Sequence, residues 1–250
     1  MDTSLRDKFL SLWRKYFAAA ELPIVAYYTN DEGARAQLVP ATGRACIIGQ
    51  LARVRRGETL AFDRDAATCS GAKRYLGFSQ EIMPNFEYFL SCGIPGKLAG
   101  ERYKKTPQLV KELMARMPTF VAPAKYIVFK RWDNLTAADE PEIVIFFATP
   151  DVLAGLFTLA GFEEADPNRV MTPFGAGCGT IVQYPYLEKD QPSPRSVIGM
   201  FDPSARPLVP ANTLTFATPM VKFARMVADM EESFLTTRTW EQVQSRIQPA

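Results

Sequence analysis

The chain has 250 residues, with 29 Lys and Arg against 27 Asp and Glu and a formal net charge of +2. Apolar residues make up 47% and charged residues 22%, which excludes a disordered or collagen-like chain and allows a large core without disulfide staples. The longest apolar run, Ile143–Ala148, is far short of the roughly 20 residues a membrane helix needs, and the opening MDTSLRDKF has no apolar signal core, so a soluble cytoplasmic protein is expected.

In chain order, Leu5, Phe9, Leu10, Trp13, Tyr16 and Phe17 recur at helical spacing over residues 4–20, and Leu22-Pro23 closes that helix. Pro23–Thr29 reads as a strand. A helix from about Thr42 to Arg56 carries Ile47, Ile48, Leu51 and Val54 on one face and is ended by Gly57. Thr59–Phe62 is a short strand. Asp65 or Thr68 is expected to cap a helix holding Cys69, with Gly77 as its stop. Residues 80–118 read as helical and loop-rich, with one helix bracketed by Thr106-Pro107 and Pro118. Lys125–Trp132 and Glu142–Ala148 are strand-like. A helix from Pro219 has a Met-aromatic stripe, read as core, and Thr239–Ile247 can add one more. Strands alternating with helices predict an α/β (or α+β) fold.

An internal repeat organises the second half. Phe147-Ala148-Thr149-Pro150 recurs as Phe216-Ala217-Thr218-Pro219, at an offset of 69 that also superposes Asp133 on Asp202 and Pro141 on Pro210. Each copy reads as strand, loop opened by Asp, strand, then a helix begun by Thr as N-cap and Pro at N1. A weaker echo joins the front to the back: Thr42 to Cys69 is 27 residues and Thr149 to Cys178 is 29. The expected organisation is therefore a single compact domain of two related strand-helix halves, 22–118 and 123–235, with the N-terminal helix packed outside.

The chain contains no histidine. That removes Ser-His and Cys-His nucleophile pairs, imidazole bases and every His-containing metal site. Four cysteines remain, Cys46, Cys69, Cys92 and Cys178. Two of them sit among small residues, in Thr68-Cys69-Ser70-Gly71 and Gly175-Ala176-Gly177-Cys178-Gly179-Thr180. Glycine lets a backbone approach a ligand and present its N–H groups, a setting in which iron–sulfur clusters tune their potential. Cys46, Cys69 and Cys178, with Gly71, Gly177 and Gly179, are the candidate cofactor residues. Three thiols could hold three irons of a 4Fe–4S cluster, leaving the fourth for a substrate, Cys92 or another ligand. Gaps of 23, 23 and 86 residues contain no C-x₂-C, so zinc ribbons, thioredoxin motifs and ferredoxin runs are unsupported. Two other readings stand beside the cluster: buried thiols that only pack, or a single thiolate nucleophile.

Gly175-x-Gly177 lacks the third glycine of a dinucleotide fingerprint, and Lys97 is misplaced for a Walker loop. Residues 97–132 hold nine Lys/Arg and two acids, and residues 133–166 hold eight acids and no base. A solvated face turned toward the acidic segment explains this better than a nucleic-acid surface. Arg102, Lys104 and Lys105 are candidates for a substrate carboxylate or phosphate.

The stretches Gly43-Arg44-Ala45-Cys46, Arg55-Arg56-Gly57-Glu58, Cys69-Ser70-Gly71-Ala72 and Tyr75-Leu76-Gly77-Phe78 resemble the ArCR-type family of uncharacterised proteins, the domain of unknown function numbered 169. Arg102-Tyr103-Lys104 with Thr106-Pro107, and the segment around Cys178, are similar to it as well. The likeness spans roughly residues 10–235. The family carries no settled activity, but the resemblance makes Cys46, Cys69 and Cys178 the matching cysteines and leaves Cys92 outside its pattern. The expectation is a cluster- or soft-metal-binding protein, with a redox or lyase-type activity on a small anionic molecule and neither nucleic acid nor membrane as partner. The rival is a metal-free small-molecule-binding or scaffold protein.

Overall fold

The structure, a computed structural model, describes residues 1–41 and 45–247. Helix α1 (Thr3–Phe17) leads to β1 (Ile24–Thr29), α2 (Ile47–Arg55), β2 (Leu60–Phe62), α3 (Ser70–Tyr75), α4 (Phe86–Phe89) and α5 (Pro107–Arg116). Then come β3 (Tyr126–Arg131), β4 (Ile143–Ala148), α6 (Pro150–Ala160), β5 (Val170–Met171), a π-helical turn (Gly179–Gln183) continuing into α7 (Tyr184–Glu188), β6 (Ser196–Gly199), β7 (Leu214–Pro219), α8 (Met220–Asp229) and α9 (Arg238–Gln244). The strands form one mixed sheet in the order β2-β3-β1-β4-β7-β6-β5, with only β5 and β6 parallel. This is the α/β class expected.

Period-two alternation sorts the side chains to two faces. Ile24, Ala26, Ile127, Phe129, Ile143 and Ile145 point to one layer, with Ile47, Ile48, Leu51, Tyr75, Cys178 and Ile181. Val25, Val144, Phe146 and Phe216 point to the other, which is covered by α1, α6, α8 and α9 through Phe9, Trp13, Leu156, Phe223 and Trp240. Helix α1 is therefore a full member of a helical layer. Its N-terminus is capped by Asp2, whose carboxylate accepts from the Ser4 amide at 2.8 Å. Helix α6 passes close under Trp240 and Phe17 because residue 155 is glycine; a Cβ there would overlap the indole.

Each copy of the sequence repeat forms two strands followed by a helix, β3-β4-α6 and β6-β7-α8, and the copies differ. Strands β6 and β7 are direct neighbours, whereas β1 is inserted between β3 and β4. The copies meet where β4 pairs antiparallel with β7, Phe146 opposite Phe216. Thr149 caps α6 with Pro150 in its first turn, as expected. Thr218 does not cap α8: it stays in β7, accepts from the Ser196 hydroxyl at 2.9 Å, and Pro219 takes the cap position. The start of the second predicted helix, Thr42 to Arg44, falls outside the described residues. Helix α3 begins later than expected: Cys69 itself is its cap, and Asp65 and Thr68 precede it.

The basic and acidic stretches partly neutralise one another, through Lys130–Asp139 and Arg131–Asp133. Asp139 is buried and accepts from Tyr27 Oη at 2.6 Å, Lys130 Nζ at 2.9 Å and the Thr136 amide at 2.6 Å. Burial pushes its carboxyl up, but these donors outweigh burial and hold it below the usual 3.8. A depressed carboxyl stabilises the fold above its unfolded titration, and that contribution is lost as pH falls through the folded one. Asp139→Asn should cost about 1–3 kcal/mol in urea unfolding at pH 7. The gap to wild type should narrow steadily as the pH is lowered below the carboxylate range; a constant gap would contradict the assignment.

Candidate functional site

Cys46, Cys69 and Cys178 each stand at the opening of a helical segment on the same face of the sheet. Cys46 is the N-cap of α2, Cys69 the N-cap of α3, and Cys178 lies in the first turn of the helical run 177–188. From Gly177 the segment is a helix start running into the π turn, a distortion frequent at functional positions.

Three local contacts draw these openings together. The Ala45 amide donates to Thr68 Oγ1 at 3.2 Å, tying the residue before Cys46 to the residue before Cys69. Gly177 lies against α2: a Cβ on it would be 3.4 Å from Ile48 Cγ1 and 3.1 Å from Met200 Sδ. Gly179 lies against α3, where a Cβ would be 3.0 Å from Tyr75 Cδ1. The same tyrosine ring reaches Gly71, whose added Cβ would sit 3.9 Å from Tyr75 Cε2 and 3.7 Å from Cys69 Sγ. Gly177 and Gly179 thus line contacts between the cysteine-bearing segments, whereas Gly71 makes its contacts within its own.

The electrostatics agree with this proximity. Burial pushes the Cys178 thiol well above its ordinary range, and the neighbouring Cys46 and Cys69 sulfurs add to the effect, as does Asp202. Burial also pushes the Cys46 thiol up, opposed by the amides of Ile48 and Gly49 and reinforced by Cys69 and Asp202. Burial, then Cys178, raises the Tyr75 phenol. Cys178 is buried, Cys69 half-buried and Cys46 exposed at the rim. Among the described residues no group of three or more Cys, Asp or Glu side chains converges closely enough to hold a single metal ion. A cluster makes a different demand, because each thiolate binds its own iron.

Cys92 lies in another segment, between α4 and α5. It is exposed in the 89–100 loop, its thiol donating to the Gly93 carbonyl at 3.5 Å. The cationic strap is placed by backbone bonds from Arg102 N to Ser91 O (3.0 Å) and Lys104 N to Leu90 O (3.1 Å). Lys104 Nζ lies 4.0 Å from the ring centroid of Phe174, at the head of the segment leading to Cys178. Tyr103 faces Ser204 and Asp202. Lys105 is exposed, and no contact among the described residues brings it to the thiols.

Tyr75, Tyr103 and Asp202 are members of the site that the residue pattern did not single out. Asp202 had a signal, since the repeat aligns it with Asp133, but it was read there only as a loop opener.

The chain is thus an α/β protein without histidine that carries Cys46, Cys69 and Cys178 at helical openings over one face of a mostly antiparallel sheet. The chain belongs to the family described as Uncharacterised ArCR, domain of unknown function 169, whose model matches residues 16–229. No curated protein and no solved structure matches it. No helix among the described residues is long and apolar enough to cross a membrane.

Burial order predicts reactivity in the metal-free, reduced protein. Iodoacetamide near neutral pH should tag Cys92 first and Cys178 at least about tenfold more slowly until urea is added. Peptide mass spectrometry would show it, and rapid native labelling of Cys178 would contradict the described burial.

Proposed function

We propose that Cys46, Cys69 and Cys178 bind an iron–sulfur cluster, a 4Fe–4S cluster with one corner left to a non-cysteine group. The protein would use it as a cytoplasmic redox or lyase-type enzyme on a small anionic molecule. The observation that carries this reading is the closed triangle of contacts: Ala45 to Thr68, Gly177 to Ile48, and Gly179 to Tyr75. It brings thiols from residues 46, 69 and 178 to one face despite their separation in sequence.

The donor set fits the group. Soft thiolates favour iron–sulfur clusters, and the chain has no imidazole to divert the chemistry. When bound, such a cluster supplies an electron or a Lewis-acidic iron corner. The chain's own residues would do the rest. Cys178 and Tyr75 would wall off solvent on the buried side, while Arg102 and Lys104 flank Tyr103, the strap residue that faces Asp202. Neither cation is ion-paired among the described residues, so both are available to a carboxylate or phosphate.

A second reading is a metal-free small-molecule-binding or scaffold protein. It is favoured by Cys178 being part of the apolar core beside Ile181 and Met200, where a thiol packs well without a ligand.

Anaerobic purification with iron and sulfide assays separates the two. The cluster reading expects a brown protein with about four irons and four sulfides per chain. Cys69→Ser and Cys178→Ala should lose most of that iron, and Cys92→Ser should keep it. A colourless, iron-free wild type after anaerobic reconstitution would reject the cluster and leave the packing reading.

A further inference from the structure

We infer that Asp202 closes the fourth corner of the thiol site, as a displaceable oxygen ligand to the iron that no cysteine reaches. This inference rests on the cluster reading above and gives the unassigned corner a residue.

The placement comes from the loop after β6. Met200 is fully buried with φ of 69°, a left-handed conformation that sharply turns the chain as it leaves the strand. Met200 and Ala205 both pack onto Gly177, their Sδ and Cβ lying 3.1 and 3.2 Å from where its Cβ would be. Asp202 lies between them in the chain. Its Oδ1 is committed, accepting from the Ser204 amide at 2.9 Å and the Ser204 hydroxyl at 2.8 Å. Its Oδ2 accepts only a long bond, 3.4 Å, from the Gly177 amide. One oxygen therefore fixes the carboxylate, and the other keeps free lone pairs one residue from Cys178. A carboxylate at this point also touches the electrostatics of both Cys46 and Cys178.

The repeat shows why this aspartate differs from its counterpart. Asp133, 69 residues earlier, is neutralised by Arg131, with Nε–Oδ1 at 2.7 Å. The position equivalent to Arg131 is Met200. No basic side chain among the described residues pairs with Asp202, which is half-buried beside the thiol-bearing segments. An iron at the open corner would supply the missing positive charge. A single oxygen donor is also a weaker ligand for iron–sulfur iron than a thiolate, so a substrate carboxylate or phosphate guided by Arg102 and Lys104 could replace it.

The test uses full-length protein with its cluster reconstituted anaerobically. Asp202→Asn keeps an oxygen for Ser204 and so preserves the loop; Asp202→Cys substitutes a stronger ligand. Mild ferricyanide oxidation removes the least firmly held iron, and the resulting three-iron species is followed by electron paramagnetic resonance. Asp202→Asn should lose that iron about tenfold faster than wild type, and Asp202→Cys more slowly than wild type. Equal rates in all three, with an intact cluster in each, would overturn the role of Asp202 and leave the three-thiol reading standing. A wild type that takes up no iron would overturn both. Circular dichroism melts of the metal-free variants, expected to match wild type, separate lost ligation from lost folding.

Discussion

Three backbone segments can meet at the thiol site only because side chains are missing where they touch. Gly177 faces Ile48 and Met200, Gly179 faces the Tyr75 ring, and Gly199 faces Thr180, whose side chain fills the space a Cβ would need. Packing in a protein interior leaves no slack for an added methyl at such distances. The run 177–188 therefore settles against the sheet between α2 and α3, and Cys178 enters the core as a consequence. Thr180 then donates its hydroxyl to the Gly177 carbonyl at 2.9 Å. The distorted turn is thus held by its own side chain as well as by packing.

Burial and charge at this site pull against each other. The deeper a thiol lies, the less readily it ionises, and Cys178 and Cys46 are both shifted that way. Such thiols are poor nucleophiles, which weighs against thiolate catalysis by either of them. They become thiolates only when something positive replaces their protons, so binding a metal group would release protons and draw the segments together. The unpaired Asp202 adds one more negative group to the same account.

The sheet was largely legible in the sequence because its physics is local. Short continuous apolar runs in Pro23–Thr29, Lys125–Trp132 and Glu142–Ala148 mark β1, β3 and β4, and Thr149-Pro150 marks the start of α6 by the preferences of a helix N-terminus. What could not be read was long-range. Nothing in spacings of 23 and 109 residues says that Cys46, Cys69 and Cys178 share a face, because that depends on which helices lie over which strands. The run of glycines around Cys178 also concealed a helix. Glycine is a poor helix former, and here it is tolerated because close approach to Tyr75 and Ile48 leaves no room for anything larger. Cys69 failed in the same local sense: Thr68 is the better capping residue, yet its hydroxyl is taken by the Ala45 amide, and the cap moves one position on.

The repeat explains how one architecture yields a quiet half and a chemically exposed one. In the first copy β1 separates β3 from β4, and the loop between them passes the start of β1, where Asp133 meets Arg131 and Asp139 meets Lys130 and Tyr27. Every acid named there is satisfied. In the second copy no strand intervenes, β6 and β7 pair directly, and the connecting loop turns at Met200 toward Gly177. Replacing the arginine by a buried methionine fills space against that glycine and at the same time removes the counter-ion. The same substitution that seats the loop on the cysteine segment therefore leaves a carboxylate beside the thiols with an oxygen to spare. The packing of the loop on Gly177 and the unpaired carboxylate at Asp202 have one structural origin.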